Sequence, residues 1–159
     1  MTAQTGFDPE RDLELELVLD APRAKVWRCM TEAALLEQWM CPRPWAVRDA
    51  VVEPHVGGRH GFTMISPEGE EMPTDGVVLE AVEGRKLVTT DAYTSGWRPT
   101  PEPFFTAVVT LEDAGEGRTR YRAEARHWNA ETRQKHAEMG FHEGWKICAM
   151  QLQDVARAL

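Results

Sequence analysis

An α+β fold, with short antiparallel strands followed by a long helix, is what this sequence predicts. Three observations predict it. From about Asn129 to Leu159 there is no proline, and Phe141, Trp145, Cys148, Leu152, Val155 and Leu159 recur at spacings of three and four on one stripe. Between about Ala46 and Trp128 the chain reads as short alternating stretches punctuated by glycine and proline. The connections there are mostly of hairpin length, which makes neighbouring strands antiparallel. A long helix on a strongly bent antiparallel sheet can enclose an apolar pocket.

Residues 1–11 are polar and read as a short disordered tail, leaving 12–159 as one domain. Asp12 to Asp20 alternates, with Leu13, Leu15, Leu17 and Leu19 on one face and Glu14, Glu16 and Val18 on the other, which predicts a half-buried strand. Asp20 and Pro22 are start signals for a helix over Pro22–Cys29 that buries Val26 and Trp27. Thr31 is placed to cap a second helix, Glu32–Met40, stopped by Pro42 and Pro44.

Strands are predicted at Val47–Glu53, Arg59–Ile65 after Gly57-Gly58, Glu71–Val82, Lys86–Tyr93, Phe104–Glu112 and Thr119–Trp128. Pro73 points to a sheet edge. Ser66 to Gly69 and Asp113 to Gly117 are turns. In the last strand Thr119, Tyr121, Ala123, Ala125 and His127 share one face, and Arg120, Arg122, Glu124 and Arg126 the other. Asn129 caps the closing helix.

Composition narrows the partners. The 159 residues carry a formal net charge of −8, which argues against nucleic acid, since phosphate binding rests on clustered Lys and Arg. No apolar run is long enough to span a membrane. The start of the chain lacks the apolar centre of a secretion signal. The three cysteines, Cys29, Cys41 and Cys148, are scattered and odd in number, as expected of reduced thiols in a cytoplasmic protein.

The chain resembles the START-like, Bet v 1-like (SRPBCC) superfamily, and within it proteins similar to the C-terminal domain of the activator of Hsp90 ATPase, often described as polyketide cyclase-like. The likeness is carried by the first strand running into Asp20-Ala21-Pro22 and Val26-Trp27, by the helix end at Trp39, and by Gly57-Gly58 before a strand holding Phe62. Asp75-Gly76-Val77-Val78 leading to Leu87-Val88-Thr89-Thr90 adds to it, as does the segment from His136 through Met139-Gly140-Phe141-His142-Glu143-Gly144-Trp145 to Leu152. It covers about residues 12 to 159. The resemblance implies a helix-grip fold: a curved sheet of about seven strands, two short helices, and a long C-terminal helix that leaves a cavity over the sheet. A homodimer is implied by the resemblance alone. The superfamily includes lipid carriers, metabolite binders, cyclases and co-chaperone domains, so the fold does not select an activity.

The candidate site residues follow from strand and helix phase. His127 points inward at a strand end, where an imidazole can bond a ligand oxygen, act as a general base, or be satisfied by a backbone carbonyl as an ordinary core histidine. His60 and Phe62 share a strand face, and Tyr121 offers an inward hydroxyl. Rotation of about 100° per residue puts Phe141 and Trp145 on the apolar stripe, with Gln134 and Glu138 toward a cavity mouth and His136 nearly opposite. Glu138 can also pair with His142. Gly140 and Gly144 each cost about 1 kcal/mol in a helix interior, which implies a close approach or room for a ligand. No metal-ligand spacing or phosphate-binding loop is present. Cys148 reads as an inert core thiol and Cys41 as the more exposed one. The proline-stiffened arm from Gly96 to Pro103 carries Trp97, which either closes the pocket or meets a second subunit.

These observations favour a binding protein for a small hydrophobic or aromatic molecule, with no metal or organic cofactor. Two alternatives stay open: a cofactor-independent cyclase or dehydratase with His127 as the acid–base group, and a chaperone-interacting module.

Overall fold

The structure, a computed structural model, describes residues 6–159. In chain order the elements are β1 (Asp12–Leu19), α1 (Arg23–Thr31), α2 (Ala33–Leu36), β2 (Ala46–Val52), β3 (His60–Ile65), β4 (Glu71–Thr74), β5 (Val77–Val82), β6 (Lys86–Thr90), β7 (Tyr93–Thr94), β8 (Arg98–Pro99), β9 (Thr106–Gly115), β10 (Arg118–Arg126), α3 (Ala130–Glu138) and α4 (Phe141–Arg157). Five strands form one antiparallel sheet in the order β1-β10-β9-β6-β5, and three form another in the order β2-β3-β4. A bridge between Arg59 and Val77 joins the two, reinforced by backbone bonds between Val78 and both Gly57 and Gly58.

The alternation predicted for β1 and β10 sets the inner face. Leu15 stands opposite Ala123 and Leu17 opposite Tyr121, and Ala123 in turn faces Val109 of β9. These side chains pack with Ala149, Leu152, Val155 and Ala156 of α4 and with Val26, Cys29 and Met30 of α1. On the other face Arg122 bonds Glu14 at 2.5 Å and Arg126 bonds Glu124, itself only 5% exposed, at 3.2 Å, so the charged half of the pattern pairs within its own face.

Several boundaries differ from the expectation, each for a local reason. Pro22 is the extended residue before α1, so the helix begins at Arg23, and the Asp20 carboxylate accepts from Arg157 at 2.7 Å at the far end of α4 instead of capping. Thr31 ends α1 with its hydroxyl donating to the Trp27 carbonyl, and the second helix is one turn long. The predicted strand 71–82 is two strands. At Gly76 the backbone passes so near β6 that a Cβ would stand 2.3 Å from the Thr90 carbonyl oxygen, and the chain crosses there from one sheet to the other. Pro73 does sit on the edge strand, β4. Residues 1–5 of the expected tail lie outside the described residues. From Asp8 to Asp12 the chain makes a turn in which the Asp8 carbonyl accepts from Arg11 and Asp12 and the Asp12 carboxylate accepts from the Asp8 N–H.

The largest departure is the closing helix. Asn129 caps it as expected, its side-chain oxygen accepting from Thr132 N–H at 2.8 Å. The helix then stops at Met139 and Gly140, where Gly140 adopts φ +91°, and a new helix begins at Phe141. Left-handed backbone of this kind is where glycine replaces any residue with a Cβ. No atom lies within 4 Å of the position a Cβ would take at Gly140 or Gly144, so neither glycine serves a close approach. Cys41 is buried, contrary to expectation, and burial pushes its thiol up to about 11. No helix among the described residues is long and apolar enough to cross a membrane.

Candidate functional site

The break at Gly140 restarts the rotation that placed His136 on the outer side of a continuous helix. His136 is only 6% exposed, and His127, at the end of β10, is 5% exposed. The two rings meet, with His127 Nε2 2.9 Å from His136 Nδ1. On its other side His127 Nδ1 lies 2.7 Å from the Arg11 carbonyl oxygen. The turn preceding β1, the end of the sheet and α3 are thus tied together through one imidazole.

The partners assign the protons. A carbonyl oxygen only accepts, so His127 Nδ1 carries a hydrogen. In the neutral ring Nε2 is then an acceptor, and His136 must donate to it from Nδ1. That leaves His136 Nε2 as a bare acceptor, with no hydrogen-bond partner among the described residues. Burial favours the neutral form of both rings. Burial, helped by the neighbouring His127, pushes His136 down to about 4. Burial also lowers His127, opposed by its bond to the Arg11 carbonyl.

Aromatic rings surround His136. Their centroids lie 4.8 Å away for Phe104, 4.9 Å for Phe105, 5.2 Å for Phe141 and 5.9 Å for Trp145. Phe104 is anchored by Asp91, whose carboxylate oxygens lie 2.8 and 3.0 Å from its backbone N–H. Burial raises the Asp91 carboxyl despite these bonds. Two surface depressions flank the group. One of about 360 Å³ is lined by Phe104, Thr132 and Lys135 among others, and one of about 310 Å³ by His127, Arg126 and Trp128 among others.

The predicted residues fall into five places. His127, Phe141 and Trp145 converge on the ring cluster. Tyr121 lies in the main core on the inner sheet face; its hydroxyl has no hydrogen-bond partner among the described residues, and burial raises its pKa. His60 and Phe62 stand together on β3, ring edge to ring face with centroids 6.2 Å apart, and burial pushes the imidazole down to about 4. Gln134 and Glu138 are exposed on α3 and bond each other at 3.0 Å. Trp97 is 48% exposed and meets Tyr93 at 5.8 Å on the β7–β8 ribbon.

Sequence reasoning missed His136 as a buried group, along with Phe104 and Phe105 as its neighbours. One signal was available for the first: Gly140, treated as a helix-ending glycine, restarts the helical phase at Phe141.

A curved antiparallel sheet with two short helices and a C-terminal helix defines the class, the START-like, Bet v 1-like helix-grip proteins. Residues 20–157 match the family described as Activator of Hsp90 ATPase homolog 1-like protein, and the chain belongs to that family. A crystal structure of a protein from Nitrosomonas europaea is similar with a TM-score of 0.92 and 38% identity, covering 96% of this chain and 97% of that one. A solution structure from Arthrobacter aurescens is similar at TM-score 0.80 and 25% identity, covering 95% and 88%. The AHSA1 protein from Silicibacter pomeroyi, at 19% identity and TM-score 0.68 over 90% and 95%, shares the fold. No curated protein matches the chain in sequence.

Proposed function

We propose that this protein binds a small hydrophobic or aromatic molecule between the inner face of its sheet and α4. One observation carries the reading. Leu13 and Leu19, at the two ends of β1, are 1% and 0% exposed, while Leu15 and Leu17, between them on the same face, keep part of their surface open. In a solid core the middle of a strand is its best-buried part, because close packing leaves few voids. Val109, Trp145, Cys148 and Met40 pack on the same core and are likewise only half-buried.

Two further features fit an occupant. The Tyr121 hydroxyl lies in the core without a partner among the described residues. The hydroxyl oxygen is not fully enclosed, and a ligand atom would supply the partner it lacks. Gly144 lies near open space on the side of α4 that carries Cys148 and Gln151. An apolar wall with a few polar groups is the usual construction of a small-molecule site.

The test is thermal. Naphthalene and a set of larger apolar probes at about 100 times their dissociation constants would add about 2.7 kcal/mol to the folded state and raise the melting temperature. Native mass spectrometry of protein from its own source is expected to retain a small molecule. If no probe raises the melting temperature and no molecule is retained, the reading is wrong.

A further inference from the structure

We propose that the ligand space has a polar end at His136, whose Nε2 receives an O–H or N–H from a planar aromatic ligand, so that the molecules held are phenol-like donors and not plain hydrocarbons or carboxylates. This rests on the reading of the interior given above and names the ligand class for it.

The argument starts from the proton assignment. The Arg11 carbonyl, 2.7 Å from His127 Nδ1, sets the tautomer of both rings along the chain. The free end of that chain is an acceptor, and it belongs to a side chain more than nine-tenths buried. Nε2 itself is not among the fully enclosed atoms that lack a partner, so it keeps a little open surface through which a ligand hydroxyl can reach and satisfy it. A carboxylate would instead set its negative charge against the lone pair of a neutral imidazole.

The surroundings select for shape. Phe104, Phe105, Phe141 and Trp145 stand at ring-packing distances from His136, an arrangement suited to a flat ring. The cluster also borders the interior, because Trp145 and Leu15 pack both against the group around Phe141 and against the main core. A site built to pair with a donor rejects the analogue that lacks one, because its own polar atom is then stranded.

Three probes of similar shape separate the possibilities: 1-naphthol, 1-methoxynaphthalene and naphthalene, titrated into the full chain at pH 7. Naphthol is expected to bind about tenfold more tightly than the other two, the equivalent of about 1.4 kcal/mol. His136→Phe keeps an aromatic ring in the cluster and is expected to abolish the preference while leaving naphthalene binding. Equal affinities, or a preference that survives in His136→Phe, overturn the role of His136 and leave the apolar interior standing. Failure of all three to bind overturns both. The unsubstituted protein gives a second check through the nitrogen-15 spectrum of its imidazoles. His136 is expected to carry its hydrogen on Nδ1, with the Nε2 resonance moving on addition of naphthol. A hydrogen on Nε2 of the free protein overturns the inference whatever the variant does.

Discussion

His136 Nδ1 donates to His127 Nε2 across 2.9 Å, although the two residues belong to different kinds of element and their separate periodicities point them apart. The contact exists because α3 ends at Gly140 and is docked on the end of β10 as a piece of its own. It gives His127 two protein partners, which leaves the open ring nitrogen of the pair on His136.

The pair makes stability depend on pH, with a definite sign. Burial lowers the folded-state pKa of His136 to about 4 and that of His60 to about 4, below the ordinary 6.5. Unfolded chains therefore take up protons first as the pH falls. Stability is full above about pH 6.5 and declines toward pH 4, by up to about 1.4 kcal/mol per pH unit for each group. His127 joins the trend, its pKa lowered by burial and by Arg133 and raised by the Arg11 carbonyl and Asp12. Urea midpoints between pH 7.5 and 4.5 measure the slope, which is expected to be shallower in His136→Phe. An identical slope in the variant contradicts the assignment.

The two glycines of the last segment respond oppositely to alanine. Gly140→Ala forces a Cβ into φ +91° and is expected to cost about 1–2 kcal/mol despite the free space around it. Gly144→Ala lies inside α4 with open space around the new methyl group and is expected to add about 1 kcal/mol of helix stability. Denaturant titration of both variants checks the difference in sign.

Gln151 is the polar exception on the buried side of α4, only 7% exposed. Its amide nitrogen donates to the Trp39 and Cys41 carbonyls at 3.1 and 2.8 Å, and its oxygen accepts from Arg43 N–H at 3.0 Å. Gln151→Leu strands those backbone groups and is expected to destabilise the fold by about 3 kcal/mol, read from equilibrium unfolding. Gln153→Leu, removing a single bond to Asp20 N–H at an exposed site, is expected to cost under about 1 kcal/mol.

Tyr121→Phe separates structure from binding. The hydroxyl has no protein partner among the described residues, so its removal is expected to change unfolding stability by less than about 0.5 kcal/mol. Calorimetry with a ligand that carries a hydrogen-bonding group is expected to show weaker binding in the variant. A large loss of stability would mean that the hydroxyl is satisfied by the fold itself.

Local patterns were legible in the sequence wherever one period governed a whole element. The leucines of β1, the inward alanines and Tyr121 of β10 and the Asn129 cap all sit where the pattern places them. His136 was misplaced because a single left-handed residue resets the helical phase, and the phase of every residue before it depends on that break. Phe104 and Phe105 escaped notice for a different reason. Their position depends on the Asp91 carboxylate, which holds Phe104 thirteen residues away across the β7–β8 ribbon.

By itself the order of residues determined which face of each strand is apolar, where turns fall and that a helix closes the chain, because these follow from nearest-neighbour sterics and the periods of strand and helix. Only the tertiary structure decided that His127 ends on a carbonyl and another histidine, that the leucines at the middle of β1 stay open while those at its ends close, and that one imidazole nitrogen is left bare. Those outcomes are set by contacts between segments as much as 116 residues apart, such as His127 with Arg11, whose geometry no local pattern encodes.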